Sequence, residues 1–125
     1  MWSASRESGS AVSDFVLVAF PILAIFSATI SITLGSYARL VLLDATIEGA
    51  RYAALADQNI AAGVARTKKL VADSLGPALN VSVEGGTQRV GTVEVVRLAS
   101  TLGFGFLPGA QILSVSSVAT RENEY

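Results

Sequence analysis

Residues 15–38, FVLVAFPILAIFSATISITLGSYA, run for 24 positions without a charge, closed off by Asp14 on one side and Arg39 on the other. A helix needs about 20 such residues to cross the hydrocarbon of a bilayer. Wound at 3.6 residues per turn, Val16, Leu17, Val18, Phe20, Ile22, Leu23, Ile25, Phe26, Ile30, Ile32 and Leu34 fall all round the helix and leave no polar face for water. The run reads as a transmembrane helix occupying residues 10–38. A buried core helix is the first alternative, but a chain of 125 residues leaves too little material to wrap so long an apolar rod on every side. A secretory signal is the second, with Ser36-Tyr37-Ala38 as its small-x-small site. Such signals carry a positive n-region and an apolar stretch of about 7–15 residues. This run is longer, and before it Arg6 stands against Glu7 and Asp14.

Composition narrows the function classes. Hydrophobic residues make up 51% and charged ones 15%, the second figure well under the roughly 25% of soluble domains, so a membrane segment is the expected cause. Nine Lys and Arg balance ten Asp and Glu for a net charge of −1, which leaves no basic excess to release counterions from a phosphate backbone. Nucleic acid is therefore not an expected partner. With no Cys and no His, disulfides, thiolate nucleophiles, the usual zinc ligand sets and a Ser/His/Asp triad are all excluded. No cofactor or metal site is expected, and no enzyme activity.

Downstream of the span the apolar residues become periodic. Leu40, Leu43, Ile47, Ala50 and Ala54, then Ile60, Val64, Leu70 and Val71, recur at helical spacing, which predicts an amphipathic helical region over residues 39–76. Asp57-Gln58-Asn59 supplies polar caps between two helices, and Gly76-Pro77 a stop. A continuous helix from Val12 to Leu55 would have 44 residues and a length of about 66 Å at about 1.5 Å per residue, so its second half is expected to project beyond the bilayer. Residues 77–125 change character, with Val, Ile and Leu set among Gly, Ser and Thr. Strands are predicted over 79–84, 89–99 and 111–121, the first two joined through Gly85-Gly86 and the third following the Gly/Pro-rich connection from Gly103 to Gly109. The fold class that results is α+β: a long N-terminal helix, transmembrane and then amphipathic, packed on a small antiparallel sheet of about three strands.

Short motifs add little chemistry. Gly103-Phe104-Gly105 with Gly109 has the wrong spacing for a phosphate loop and reads as a turn, and Lys68-Lys69 with Ser74 reads as a solvated face. Within the span, Ser27, Ser31 and Gly35 fall at i, i+4 and i+8. They give either a small-residue stripe for helix packing or hydroxyls bonded back to their own helix. Pro21 removes one helical hydrogen bond early in the span. Beyond it, Glu48 and Arg51 lie three apart on one face, while Gly49, Ala50, Ala53 and Ala54 present a small-residue surface for a partner or for the chain's own sheet. Orientation is barely encoded in charge, since Arg6 stands against Arg39 and Arg51.

Directly before the apolar run, Gly9-Ser10-Ala11-Val12-Ser13-Asp14-Phe15 places a carboxylate five residues past a glycine, at the edge of the hydrocarbon. An acid at that depth reads as functional, or as an anion favoured by a helix N-terminus. Glycine, an acid at the fifth following position and an aromatic at the sixth resemble the class III signal of type IV pilin-like proteins. Together with Val18-Ala19-Phe20-Pro21, Ile47-Glu48-Gly49-Ala50-Arg51-Tyr52-Ala53-Ala54 and the closing Ala119-Thr120-Arg121-Glu122, most of the chain resembles the TadE-like minor pseudopilins of the tight-adherence (Tad/Flp) pilus system. The resemblance implies a leader over residues 1–9, cleavage between Gly9 and Ser10 by a prepilin peptidase, and assembly roles for Asp14 and Phe15. It implies as partners other pilin or pseudopilin subunits, the pilus assembly machinery and membrane lipid. It also implies a single-pass location in a bacterial inner membrane, with a cytoplasmic N-terminus and an extracytoplasmic C-terminal region. In two respects the chain departs from the family pattern: Asp14 stands where Glu is usual, and the leader has no positive excess.

Overall fold

A computed structural model describes residues 4–55, 57–103 and 113–122, with side chains from Gly9 onward. Its elements run α1 (Ala4–Ala54), α2 (Ile60–Leu75), β1 (Asn80–Val90), β2 (Val93–Gly103) and β3 (Leu113–Thr120). The fold is α+β, with the long N-terminal helix packed on a three-stranded antiparallel sheet in the order β1-β2-β3. The chain divides into two compact units, Met1–Ser36 and Tyr37–Tyr125, and α1 runs through both.

In the first unit the side chains described are almost all exposed, the large apolar ones included; Phe15, Leu17 and Phe20 are more than 70% exposed. The helix begins at Ala4, upstream of the Val12 start anticipated above, so residues 4–9 of the expected leader are helical. Pro21 lies inside α1 and denies the carbonyl of Leu17 its usual N–H donor. Side-chain hydroxyls bond back along the same helix: Ser13 donates to Gly9 O (3.0 Å), Thr29 to Ile25 O (2.9 Å), Ser31 to Ser27 O (2.8 Å) and Thr33 to Thr29 O (2.9 Å). Such bonds let hydroxyl groups sit in a helix without water.

The second unit is built on the remainder of α1. Ala38, Leu42 and Ala45 pack with Val71 of α2, Leu102 of β2 and Val115 of β3, and further along Ala53 and Ala54 pack with Val96. Helix α2 is capped as its sequence predicts. Asn59 accepts from Ala62 N–H (2.8 Å), and Gly76, at φ 92°, closes the C-terminus with its N–H donated to Ala72 O (3.0 Å).

The sheet corrects the expected hairpin. Strand β1 passes straight through Gly85-Gly86 and pairs with β2 in a register from Asn80↔Gly103 to Val90↔Val93, so the loop is Gly91-Thr92. Gly91 has φ 63°, and no non-glycine residue described has positive φ, the pattern of a two-residue II′ turn. Gly85 is glycine for want of space. It sits opposite Leu98, and a Cβ there would strike Ile60 Cγ2 and lie 2.7 Å from Leu98 Cδ2. Strand β3 covers residues 113–120 of the expected 111–121, and most of the Gly103–Gly109 connection lies outside the described residues.

Candidate functional site

The residues singled out in the sequence separate between the two units. In the first, Gly9, Ser10, Asp14 and Phe15 are all exposed on one continuous helix. A Cβ placed on Gly9 would meet nothing within 4 Å, so packing does not require glycine there. Asp14 lies ten residues into α1, more than two turns from its start, where the N-terminal partial charge of a helix no longer reaches. The N-terminal-anion reading of Asp14 therefore has no support in the uncleaved helix. Ser10 and Asp14 are one helical turn apart at i and i+4, neighbours on one face.

Ser27 and Ser31 are exposed and Gly35 half-buried, with open space over Gly35. The Ser31 hydroxyl is satisfied inside its own helix by the Ser27 carbonyl, the second of the two roles open to it from sequence. Arg6 and Glu7 fall among side chains outside the described set.

In the second unit the small residues of α1 are spent internally. Gly49, Ala50, Ala53 and Ala54 are buried, with Gly49 and Ala53 against α2 and Ala54 against the sheet. A Cβ on Gly49 would strike Thr67 Oγ1 and lie 2.8 Å from Gly63 O; one on Gly63 would lie 2.6 Å from Gly49 O. The two glycines mark the crossing where the helix backbones touch. Glu48 does not bond Arg51, its i+3 neighbour. Its carboxylate lies 3.7 Å from Arg66 of α2, both side chains about half exposed, so the pair ties two helices together at little net gain. Arg51 stays exposed, beside Leu55 and the outer end of β3.

Four polar links, Thr46 to Ser100, Thr67 to Ala45, Glu122 to Ala54 and Arg121 to Glu94, went unread in the sequence because each joins segments far apart in it. Thr46 Oγ1 lies 2.6 Å from Leu42 O and 2.7 Å from Ser100 Oγ, all buried. A hydroxyl has one proton and a carbonyl only accepts, so Thr46 donates to Leu42 while Ser100 donates to Thr46. Thr67 Oγ1 shares its proton between Gly63 O (3.0 Å) and Ala45 O (3.3 Å). At the chain's far end, Glu122 N–H donates to Ala54 O (2.9 Å), capping α1, and Arg121 pairs with Glu94 (3.5 Å) while its N–H donates to Glu94 O.

Among the described residues, no buried side-chain polar atom lacks a hydrogen-bond partner and no three His, Cys, Asp or Glu side chains group to hold a metal ion. What the arrangement offers is surface: an exposed apolar helix with a glycine and an acid just before its uncharged run, and a small packed unit of helix and antiparallel sheet. One helix near the N-terminus is long and apolar enough to cross a membrane, and its most apolar window is entirely unburied. Comparison with protein-family models, with curated proteins and with solved structures finds no match to this chain.

Proposed function

We propose that this chain is a membrane-anchored, non-enzymatic minor pseudopilin that takes part in assembling or initiating a Tad/Flp-type pilus. In this reading a prepilin peptidase cuts after Gly9, the apolar part of α1 spans the inner membrane, and the unit from Tyr37 onward lies outside it. The observation that carries the reading is the order of features at the head of α1. Glycine, an acid five residues on, an aromatic and then an uncharged run of 24 residues follow one another in a helix whose apolar side chains are unburied. A lipid environment removes that exposed apolar surface from water, and a free Ser10 amine supplies a positive charge for a carboxylate at the hydrocarbon edge.

A second reading, an unprocessed single-pass accessory subunit of a membrane or export complex, is favoured by one observation. The Gly9–Ser10 bond lies inside α1, and a peptidase must open that turn to reach it. Gly9 lowers the cost of opening, since glycine in a helix interior is worth about 1 kcal/mol less than alanine. The Gly9→Leu variant separates the two readings. With open space around position 9 it is expected to fold and insert as the parent does, yet to lose co-recovery with the other pilin-like subunits. Unchanged co-recovery favours the accessory subunit.

A further inference from the structure

We propose that the end of the second unit formed by Tyr37, Leu40, Pro77 and Ala78 rests on the headgroup surface of a lipid bilayer. The proposal rests on reading residues 15–38 as a membrane span, and its test separates failure of one from failure of the other.

The two apolar clusters fix which loops gather at which end. Ala38 and Leu42 pack with Val71 and Leu102 and with the half-buried Leu75 and Leu79, so the α2–β1 connection lies at the Tyr37 end. Ala53 and Ala54 pack with Val96 and Ile60, which puts the α1–α2 connection at the opposite end, and the register carries the Gly91-Thr92 turn beyond Val96. Charge divides the same way. Ser74 to Val83 carries no ionisable side chain, nor do the described residues from Leu98 to Gly103 and from Leu113 to Thr120. The opposite end holds Arg51, Asp57, Arg89, Glu94, Arg121 and Glu122, whereas Arg39 and Asp73 flank the uncharged end.

Among the described residues that end is also incompletely covered. Tyr37 is 55% and Leu40 65% exposed, Pro77 and Ala78 are exposed, and Leu75 and Leu79 are only half-buried. Tyrosine rings and arginine side chains are the groups that settle at headgroup depth, the ring with its apolar body and polar tip, the guanidinium on phosphate. Tyr37 and Arg39 supply both, two positions apart, at the point where the uncharged run closes. Because Ser36 is bonded to Tyr37, this end of the unit begins where the apolar span stops. A lipid surface is the occupant that continuity, composition and the placement of charge all select.

The chain contains no cysteine, so single cysteines at positions 26, 78 and 92 each carry a unique spin label in the full-length protein reconstituted into phosphatidylglycerol/phosphatidylethanolamine vesicles. Collision with oxygen and with a water-soluble nickel chelate reads depth. The expected result is hydrocarbon depth for Phe26→Cys, loss of nickel-chelate access for Ala78→Cys, and full access for Thr92→Cys at the hairpin turn. Equal access at positions 78 and 92, open or shielded, with position 26 still deep overturns the docking and leaves the span intact. An aqueous signal at position 26 overturns the span and the docking with it.

Discussion

Asp14 and Ser10 occupy neighbouring positions on one face of α1, and cleavage after Gly9 would turn Ser10 from an ordinary helical residue into a positive amine one turn from a carboxylate. Burying a lone carboxylate at the hydrocarbon edge costs on the order of a few kcal/mol, and pairing it with an ammonium recovers part of that. The apolar run is long enough to insert by itself, so loss of the charge is expected to hurt assembly and not insertion. Asp14→Asn should reach the membrane at parental levels and fail to co-purify with its partner subunits, while Asp14→Glu should retain both. Parental co-purification of Asp14→Asn would show that no charge pair is needed. In the second unit the corresponding single-residue device is Thr46. Thr46→Val keeps the shape but leaves the buried Ser100 hydroxyl without its acceptor, a loss of about 1–3 kcal/mol. Denaturant unfolding in detergent should register that loss for Thr46→Val and recover part of it in Thr46→Val/Ser100→Ala.

At the scale of elements, the contact between α1 and α2 is set by what is missing from it. Gly49 and Gly63 let the backbones meet, and Thr67 fills the gap with a hydroxyl that bonds carbonyls on both helices. Adding a methyl group at Gly49 must push α2 away from α1 or displace Thr67, and overpacking of this kind typically costs about 1–3 kcal/mol. Gly49→Ala is expected to lower the unfolding midpoint of the full chain while membrane insertion stays parental; an unchanged midpoint would mean the crossing is looser than its geometry. The hairpin follows a related logic. Gly85-Gly86 reads as the turn in the sequence and Gly91-Thr92 falls inside an expected strand, yet the chain turns at Gly91-Thr92 and uses Gly85 for close approach to Ile60 of α2. Local propensity names a candidate for a turn, whereas tertiary crowding decides where one forms.

At the scale of the whole molecule, what is legible in the sequence follows the range of the interactions involved. The uncharged run, the caps at Asn59 and Gly76 and the presence of three strands are carried by residues close together in the chain, and they can be read from it. The partner of Glu48 is illegible because Arg51 at i+3 competes with Arg66 on another helix, and sequence spacing sees only the first. The Thr46–Ser100 bond spans 54 positions and leaves no local mark. The candidate site divides in the same manner: Gly9, Ser10 and Asp14 stand out by spacing alone, while Gly63 and Thr67 acquire meaning only once α2 is folded back on α1. In the proposed reading this chain is matured by cleavage and then held in the membrane by the remaining helix. Intact mass spectrometry of the chain recovered from membranes, with and without a co-expressed prepilin peptidase, tests it directly. The expected result is a species beginning at Ser10 and lacking the nine residues Met1–Gly9 whenever the peptidase is present, and the uncleaved chain when it is absent or when Gly9 is replaced by Leu. A full-length chain under all three conditions would contradict it.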